Sequence, residues 1–449
     1  MEGGRVVQSG GSIRCLDVLI QDGRINGLVE PGTVAQARHR LDARGLFVLP
    51  GGVDPHTHFG ITNPKAEDYY SESCAAAAGG ITTVINFDRS AESYRQTFPG
   101  WLASARAQFV IDFGFHLGLL TETHLEELTW CVDEGITSFK FYMNYRGVEK
   151  SKFHSDTALD DGFLYRIMRR LGSYPTPLRL CIHCENMEIT NAVRQDGVEG
   201  EGLLRWHRLR PGFCEAEAVA RSLYLARITG AAVYFVHQSS RESAALLARE
   251  DLPSLNCYAE TCPHYLALTV DAECGPLAKV NPPVREIEDV EALWDGLRNG
   301  DIHSVGSDHV PRRLERKRGH GDLATMEAGF PGVETSLPVL ITEGLRRNVP
   351  LQRLVEAWST TPARIFGLYP RKGAIMPGSD ADLVLVDLDA HRTVQASTLP
   401  GSSGYSVYEG RSLRGWPRAT LVRGTVVYSS GEIKAAPGHG RYLSRPLSS

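Results

Sequence analysis

From about residue 51 to residue 370 the chain repeats one pattern: a short apolar run, then a longer segment of helical periodicity. No other feature constrains the fold as much. Ile81–Phe87, Phe109–Leu119, Ser138–Met143, Leu178–His183, Ala232–His237, Leu255–Ala259 and His303–Ser307 read as strands. Between them lie helical segments such as Tyr70–Ala78, which ends at Gly79-Gly80, Cys214–Thr229 and Val290–Asn299. Regular alternation implies a parallel sheet, and about eight such units point to a closed (β/α)8 barrel of the TIM type. An open doubly wound sheet is the alternative. Neither G-x-G-x-x-G nor G-x-x-x-x-G-K-[ST] occurs in the sequence, so nucleotide binding has no support.

The two ends read differently. Asp17–Ile20, an Asp22-Gly23 turn and Arg24-Ile25 predict a hairpin. Near the other end, Asp382–Asp387 is a buried-strand pattern and Thr420–Val427, with Arg423-Gly424 inside it, is a second hairpin. Residues 1–50 and 371–449 therefore predict a small β-sandwich domain built from both termini, beside a barrel domain over 51–370. The Gly- and Pro-containing tail after Ala435 is expected to reach over a neighbouring subunit or fray. Its 449 residues and net charge of −5 give no basic footprint for nucleic acid or an acidic membrane. No apolar run approaches a membrane span, and the first residues lack a signal-peptide core. Nine scattered cysteines suggest reduced thiols in the cytoplasm. Cys181 and Cys184 form a C-x-x-C, but Cys257 and Cys262 are wrongly spaced to complete a zinc ribbon.

What ends the strands carries the chemistry. In a strand spanning Val53 to Phe59, His56 and His58 would share a face, a common half-site for a divalent metal. Lys140 lies within Ser138–Met143; His183, His237 and Asp308 each close an apolar run. Those are the strand ends where an α/β barrel puts its catalytic groups. Each alone is more often a hydrogen-bonded strand-end residue. Four imidazoles, a carboxylate and a buried lysine together are hard to explain by packing, because an unpartnered buried charge is costly.

The runs PGGVDPHTH, GGITT, SFKFYM, HCEN, VHQSS, ETCPHYL, KVNPPVRE, GSDH, GFPGVETSLP and GSDADLVLVD, in this order, resemble the amidohydrolase superfamily. The branch they resemble contains dihydropyrimidinases or hydantoinases, allantoinases and dihydroorotases. The resemblance implies that His56, His58, Lys140, His183, His237 and Asp308 bind two divalent metal ions, usually zinc. It implies that Lys140 is carbamylated by CO2. An ammonium repels cations, whereas a carbamate offers two anionic oxygens. It also implies ring hydrolysis of a small-molecule cyclic amide to an N-carbamoyl amino acid, with Asp308 as proton shuttle, and a homo-oligomer, tetramer or dimer.

Substrate choice within the branch rests on smaller signals. Gly60 stands where dihydroorotases resemble one another in an arginine for the substrate carboxylate, which argues against dihydroorotate. His264 leans toward allantoinase. Tyr145, five residues after Lys140, matches the hydantoinase tyrosine that hydrogen-bonds the oxyanion, and Gly404–Gly410 resembles that group too. Asn281 and Ala328 occupy positions whose backbone is expected to contact the substrate, although hydantoinases have Asn where Ala328 stands. Hydantoin or dihydropyrimidine is the expected substrate, with an allantoinase-like or other cyclic imide activity as the alternative. Some relatives are non-catalytic scaffold proteins that have lost ligands; here all six ligand positions are filled.

Overall fold

The computed structural model describes residues 1–445 apart from 9, 35, 146–157, 177, 319–322, 324 and 325. The first fifty residues supply β1 (Gly4–Val7), β2 (Ile13–Gln21), β3 (Arg24–Val29) and β4 (Phe47–Pro50). The barrel strands follow: β5 (Gly52–Thr57), β6 (Ile81–Asp88), β7 (Asp112–Gly118), β8 (Ser138–Tyr142), β9 (Arg179–His183), β10 (Ala232–Phe235), β11 (Cys257–Thr261) and β12 (Ser304–Val305). Beyond them come β13 (Leu383–Val386), a two-stranded ribbon of β14 (His391–Thr393) and β15 (Ser412–Arg414), then β16 (Pro417–Val422), β17 (Thr425–Ser429) and β18 (Glu432–Ile433).

Strands β5 to β12 pair in sequence order, and every pair is parallel. A bridge between Thr57 and His309 joins the first strand to the chain after the last, and the His58 N–H donates to the His309 carbonyl at 2.9 Å. That contact closes the barrel. Strands β5, β6, β7 and β8 are buried along their whole length, as expected where helices cover one face and barrel side chains fill the other. Alternation fades in β6, which its β-branched run Ile81–Ile85 marks instead, whereas β7 and β8 keep it, with Phe113 and Phe115 and then Phe139 and Phe141 at every second position.

The second sheet has the order β18-β17-β16-β13-β4-β1-β2-β3, with only β1 and β4 parallel. Its centre is the antiparallel pair β4/β13, which matches Phe47 to Val386 and Pro50 to Leu383. Both predicted hairpins are present. Asp22-Gly23 and Arg423-Gly424 each take positive φ at both residues, the turn that fits the right-handed twist of the flanking strands. Val6, Val18, Val48, Leu383, Leu385 and Leu421 pack into a core of their own.

The tail departs from the expectation that it frays or crosses to a neighbour. It runs beneath its own barrel: the Phe113 N–H donates to the Arg441 carbonyl at 3.0 Å, and the Leu443 N–H to the Phe113 carbonyl at 2.7 Å. Leu443 packs inside the barrel with Cys181, Tyr234 and Phe366. The Arg445 guanidinium donates to the Phe115 carbonyl at 2.5 Å and to Ser138 Oγ at 2.8 Å. Unpaired backbone groups at the lower strand ends give this segment its partners, and its glycines allow the close approach. Beside it, Lys372 Nζ lies 2.5 Å from Asp112 Oδ2, 2.7 Å from Asp382 Oδ2 and 3.0 Å from Asp380 Oδ2. Arg423 also pairs with Asp112. This buried cluster ties the start of β7 to the second sheet.

Candidate metal centre

Plain alternation does not aim the two histidines of His-x-His. Pairing of β5 with β6 shifts between Asp54 and Thr57, so Pro55 and His56 stand opposite Ile85 alone. This bulge re-aims the strand next to the site. His56 Nδ1 is 2.6 Å from Glu260 Oε1 on β11, which sends Nε2 inward to 3.2 Å from Asp308 Oδ1. His58 lies just past the strand, and its Nε2 is also 3.2 Å from that oxygen. His56, His58 and Asp308 thus bring three ligand atoms within 4.8 Å of one another.

His183 and His237 form the adjoining pair, with His237 Nε2 2.9 Å from His183 Nδ1. The far nitrogen of His183 is 2.6 Å from Glu185 Oε2, and Arg210 grips that carboxylate through Nε and Nη2, each at 2.8 Å. Clamped in this way, the His183 ring is oriented before any ligand arrives. His237 and Asp308, each following a strand end, have φ of 40° and 49°. Non-glycine residues rarely hold that left-handed conformation, and such strain concentrates at functional sites. At Gly306 a Cβ would come 2.4 Å from Glu260 Oε2 and 2.8 Å from His56 Cβ, so only glycine lets β12 approach the centre this closely. Lys140 projects from β8, with Nζ 4.5 Å from the Phe87 ring centroid.

Burial pushes the imidazoles of His56 and His58 down to about 3, and those of His183 and His237 also below their ordinary value. They are neutral at neutral pH, with lone pairs free to coordinate. Burial alone would raise Asp308, but His56 and the hydrogen bond from His58 hold it below the usual carboxylate range. Burial lowers Lys140 to about 8. Among the described residues, His56 Nε2, His58 Nδ1, His237 Nδ1 and Lys140 Nζ are buried without a hydrogen-bond partner. The 3.2 Å approach of His56 Nε2 to Asp308 is a close contact of the wrong alignment for a hydrogen bond. Each such atom costs about 1–3 kcal/mol. Divalent cations would remove that cost at the three imidazole nitrogens, so the histidine and carboxylate donors fit a metal, and Lys140 fits it only as an anion.

The nine residues singled out from the sequence line one cavity of about 810 Å³. Besides the six candidate ligands these are Tyr145, Asn281 and Ala328. The Tyr145 ring lies 5.1 Å from that of Tyr142; Asn281 Oδ1 has no partner among the described residues; the Ala328 carbonyl accepts from Arg312 Nε at 2.5 Å. His264 stands behind this wall, 5.0 Å from Phe330. Sequence reasoning missed Glu260, Glu185, Arg210 and Arg89. Glu260 carried a usable signal, a carboxylate inside the strand run Cys257–Thr261, and so did Arg89, directly after the strand ending at Asp88. The pairing of Arg210 with Glu185 had none.

Comparison with known proteins agrees with this geometry. The model of the Amidohydrolase family matches residues 47–427. A D-hydantoinase of Streptomyces coelicolor is 37% identical over 466 residues, covering 99% of this chain and 97% of its own. An Escherichia coli D-phenylhydantoinase is 33% identical over 464 residues, with coverage of 99% and 97%. Among solved structures, a D-hydantoinase superposes with a TM-score of 0.90 at 33% identity, covering 99% of this chain and 98% of that one. The L-hydantoinase (dihydropyrimidinase) of Arthrobacter aurescens gives 0.89 at 31%, with 99% of both chains covered. With a family match running from β4 to β17 and full-length relatives on the same fold, the chain belongs to the amidohydrolase family.

Proposed function

We propose that the protein hydrolyses the ring of a cyclic amide of the hydantoin or dihydropyrimidine type, releasing an N-carbamoyl amino acid. The observation that carries this is the set of buried, unsatisfied lone pairs at the barrel mouth. It occurs in a chain 37% identical, over nearly its whole length, to a D-hydantoinase. His56, His58, His183, His237, Asp308 and Lys140 would hold two divalent ions; neutral imidazoles with a carboxylate suit zinc. Such ions supply an acidified water and polarise the amide carbonyl. Reaction with CO2 would turn Lys140 from a repelling ammonium into an anion, and its lowered pKa leaves more free amine for that reaction.

Asp308 takes the proton of the attacking water and delivers it to the departing ring nitrogen. Tyr145 would donate its hydroxyl to the oxygen that gains charge, and the backbone at Asn281 and Ala328 would orient the ring. Glu185 and Glu260 hold His183 and His56 in place. A non-catalytic scaffold would have no use for strained His237 and Asp308. A cytoplasmic setting fits nine cysteines of which none is in a disulfide. A homo-oligomer, dimer or tetramer, fits the exposed Phe213, Tyr224 and Ile228 on the helix Gly212–Thr229. Among the described residues no helix is long and apolar enough to cross a membrane.

The test is a hydrolysis panel of dihydrouracil, hydantoin, allantoin, dihydroorotate and succinimide on protein of measured metal content. Hydantoin or dihydrouracil should lead, activity should vanish with a chelator, and stoichiometric metal should return it. Turnover confined to allantoin, or none with two ions bound, would overturn the reading.

A further inference from the structure

The segment that closes the barrel floor carries a cation into the barrel. Gly135, with φ of 84°, lies where a Cβ would come 2.7 Å from Ser444 Cα, so the floor leaves this segment a seat. Leu443 and Arg445 enter there and are buried. Among the described residues no carboxylate pairs with Arg445, its Nε has no partner, and burial lowers its pKa to about 10. A buried cation without a counterion is costly, and an apolar side chain would plug the floor without that cost.

The donors of Arg445 lead upward to the metal centre. Arg445 Nη1 lies 2.8 Å from Ser138 Oγ, that oxygen 2.6 Å from His116 Nδ1, and His116 Nε2 3.1 Å from the Pro55 carbonyl. A guanidinium only donates and a carbonyl only accepts. Ser138 therefore accepts from Arg445 and donates to Nδ1, and His116 carries its proton on Nε2. Burial, with Arg445 close by, holds that ring neutral, as this arrangement requires.

The chain ends on the bulge that aims His56. The peptide group between Pro55 and His56 is held on both sides, its carbonyl by His116 and its N–H by Asp54 Oδ1 at 3.0 Å. His116 also stacks on Phe87 at 4.3 Å between centroids, and Phe87 packs against His56 at 4.7 Å. Ser138 stands two residues before Lys140 on β8 and so faces the same interior.

Resting on the metal-centre reading above, we propose that Arg445 is a positioning residue for metal binding. Through Ser138 it fixes the Nε2–H tautomer of His116, and His116 holds the Pro55–His56 bulge in the shape that presents His56 to an ion. The C-terminal segment is then part of the metal site, although it enters from the opposite end of the barrel. A positive charge by itself repels metal ions, so its removal alone would tighten their binding. Loss of the hydrogen-bond chain would loosen it. The two effects have opposite signs, which makes the proposal testable.

The experiment titrates cobalt(II) into the metal-free full-length protein and follows both the affinity and the visible absorption of the bound ion, which reports its ligand geometry. Arg445→Met keeps an apolar stem and removes the donors. Its affinity should fall about 10-fold, the low end for losing a group that orients a ligand, with an altered spectrum. Arg445→Lys should recover part of the loss, and millimolar guanidinium should recover part of it in Arg445→Met. Ser138→Ala should reproduce the change with the C-terminal segment intact. The double variant should lose little more than either single one, since both cut one chain. Arg441→Ala, which removes a cation of the same segment outside the chain, should bind cobalt as wild type does. Equal or tighter binding in Arg445→Met overturns the proposal; should that variant fail to fold, wild-type binding in Ser138→Ala overturns it. Wild-type protein that takes up no cobalt overturns the metal reading and this proposal with it. The expected cobalt effects in a protein that opens no ring sink the hydrolysis reading alone and leave the role of Arg445 standing.

Discussion

Two buried lysines sit at opposite ends of one barrel, and they are handled in opposite ways. Lys372, below, has its ammonium among Asp112, Asp380 and Asp382, and those carboxylates raise its pKa above the ordinary value despite burial. Lys140, above, is buried as deeply and has no hydrogen-bond partner among the described residues; burial lowers its pKa to about 8. The lower cluster is a finished interaction that fastens the second sheet to the barrel. The upper one is unfinished, flanked by two residues in strained backbone, and is completed only by something that binds. A charge that is buried and satisfied marks stability; one that is buried and orphaned marks a site.

Exchanging the fates of the two lysines is the sharpest test. Lys140→Ala should lower kcat/KM by more than ~10³-fold if, as proposed, Lys140 holds the metal rather than supporting a residue that does. Its urea midpoint should stay near wild type, and a short carboxylic acid should restore part of the activity; full activity in the variant would remove Lys140 from the centre. Lys372→Ala should do the reverse, costing about 3–5 kcal/mol of stability because it leaves buried carboxylates without their cation. Activity per folded molecule should be kept. The pH dependence follows from the same cluster. Burial would raise Asp112 and Asp380, but Lys372 lowers both, so their contribution is complete above the ordinary carboxylate value and lost as pH falls through the lowered ones. Asp382, raised by burial, works in the opposite direction. Urea titrations below pH 4 should therefore show a shallower acid loss in Lys372→Ala than in wild type.

Smaller effects separate touching the reaction from supporting it. Tyr145→Phe should reduce kcat by about 10², the low end for an oxyanion donor, because a metal also polarises the carbonyl. KM should move little; a change within a few-fold would make Tyr145 a packing residue. Glu185→Gln should weaken metal binding about 10- to 100-fold, by loosening His183 against Arg210, with kcat largely recovered at saturating metal. Metal titration followed by activity distinguishes the two variants.

Most of the barrel was legible because its signals are local. Apolar runs, the Gly79-Gly80 stop and the polar residue ending each run are all read within ten residues of one another. The Asp-Gly and Arg-Gly turns were legible for the same reason. What was hidden depends on contacts distant in sequence. The bulge that aims His56 comes from the register against β6. The partner of His56 is Glu260, and that of Glu185 is Arg210, neither of which has a spacing rule. The tail was misjudged because its composition suits a loose end, while its actual partners, Phe113 and Gly135, belong to the barrel floor. Positive φ at His237 and Asp308 cannot be read from residue type, because His and Asp enter the left-handed region more often than most side chains yet still do so rarely.

The pairing of β4 with β13 also sets a schedule for synthesis. These two strands meet at the centre of the second sheet, yet more than three hundred residues separate them along the chain. At roughly 5–20 residues per second, a ribosome needs on the order of half a minute to reach β13 after β4 has emerged. Throughout that interval the edge of β4, carrying Val48 and Leu49, has no partner from the C-terminal half, and such an edge is a template for misplaced pairing. The hairpin of β2 and β3 can form early, but the sheet cannot be completed on the ribosome until the barrel has been made. A nascent chain halted before β13 should therefore be bound by holdase chaperones, and one halted after β18 should not.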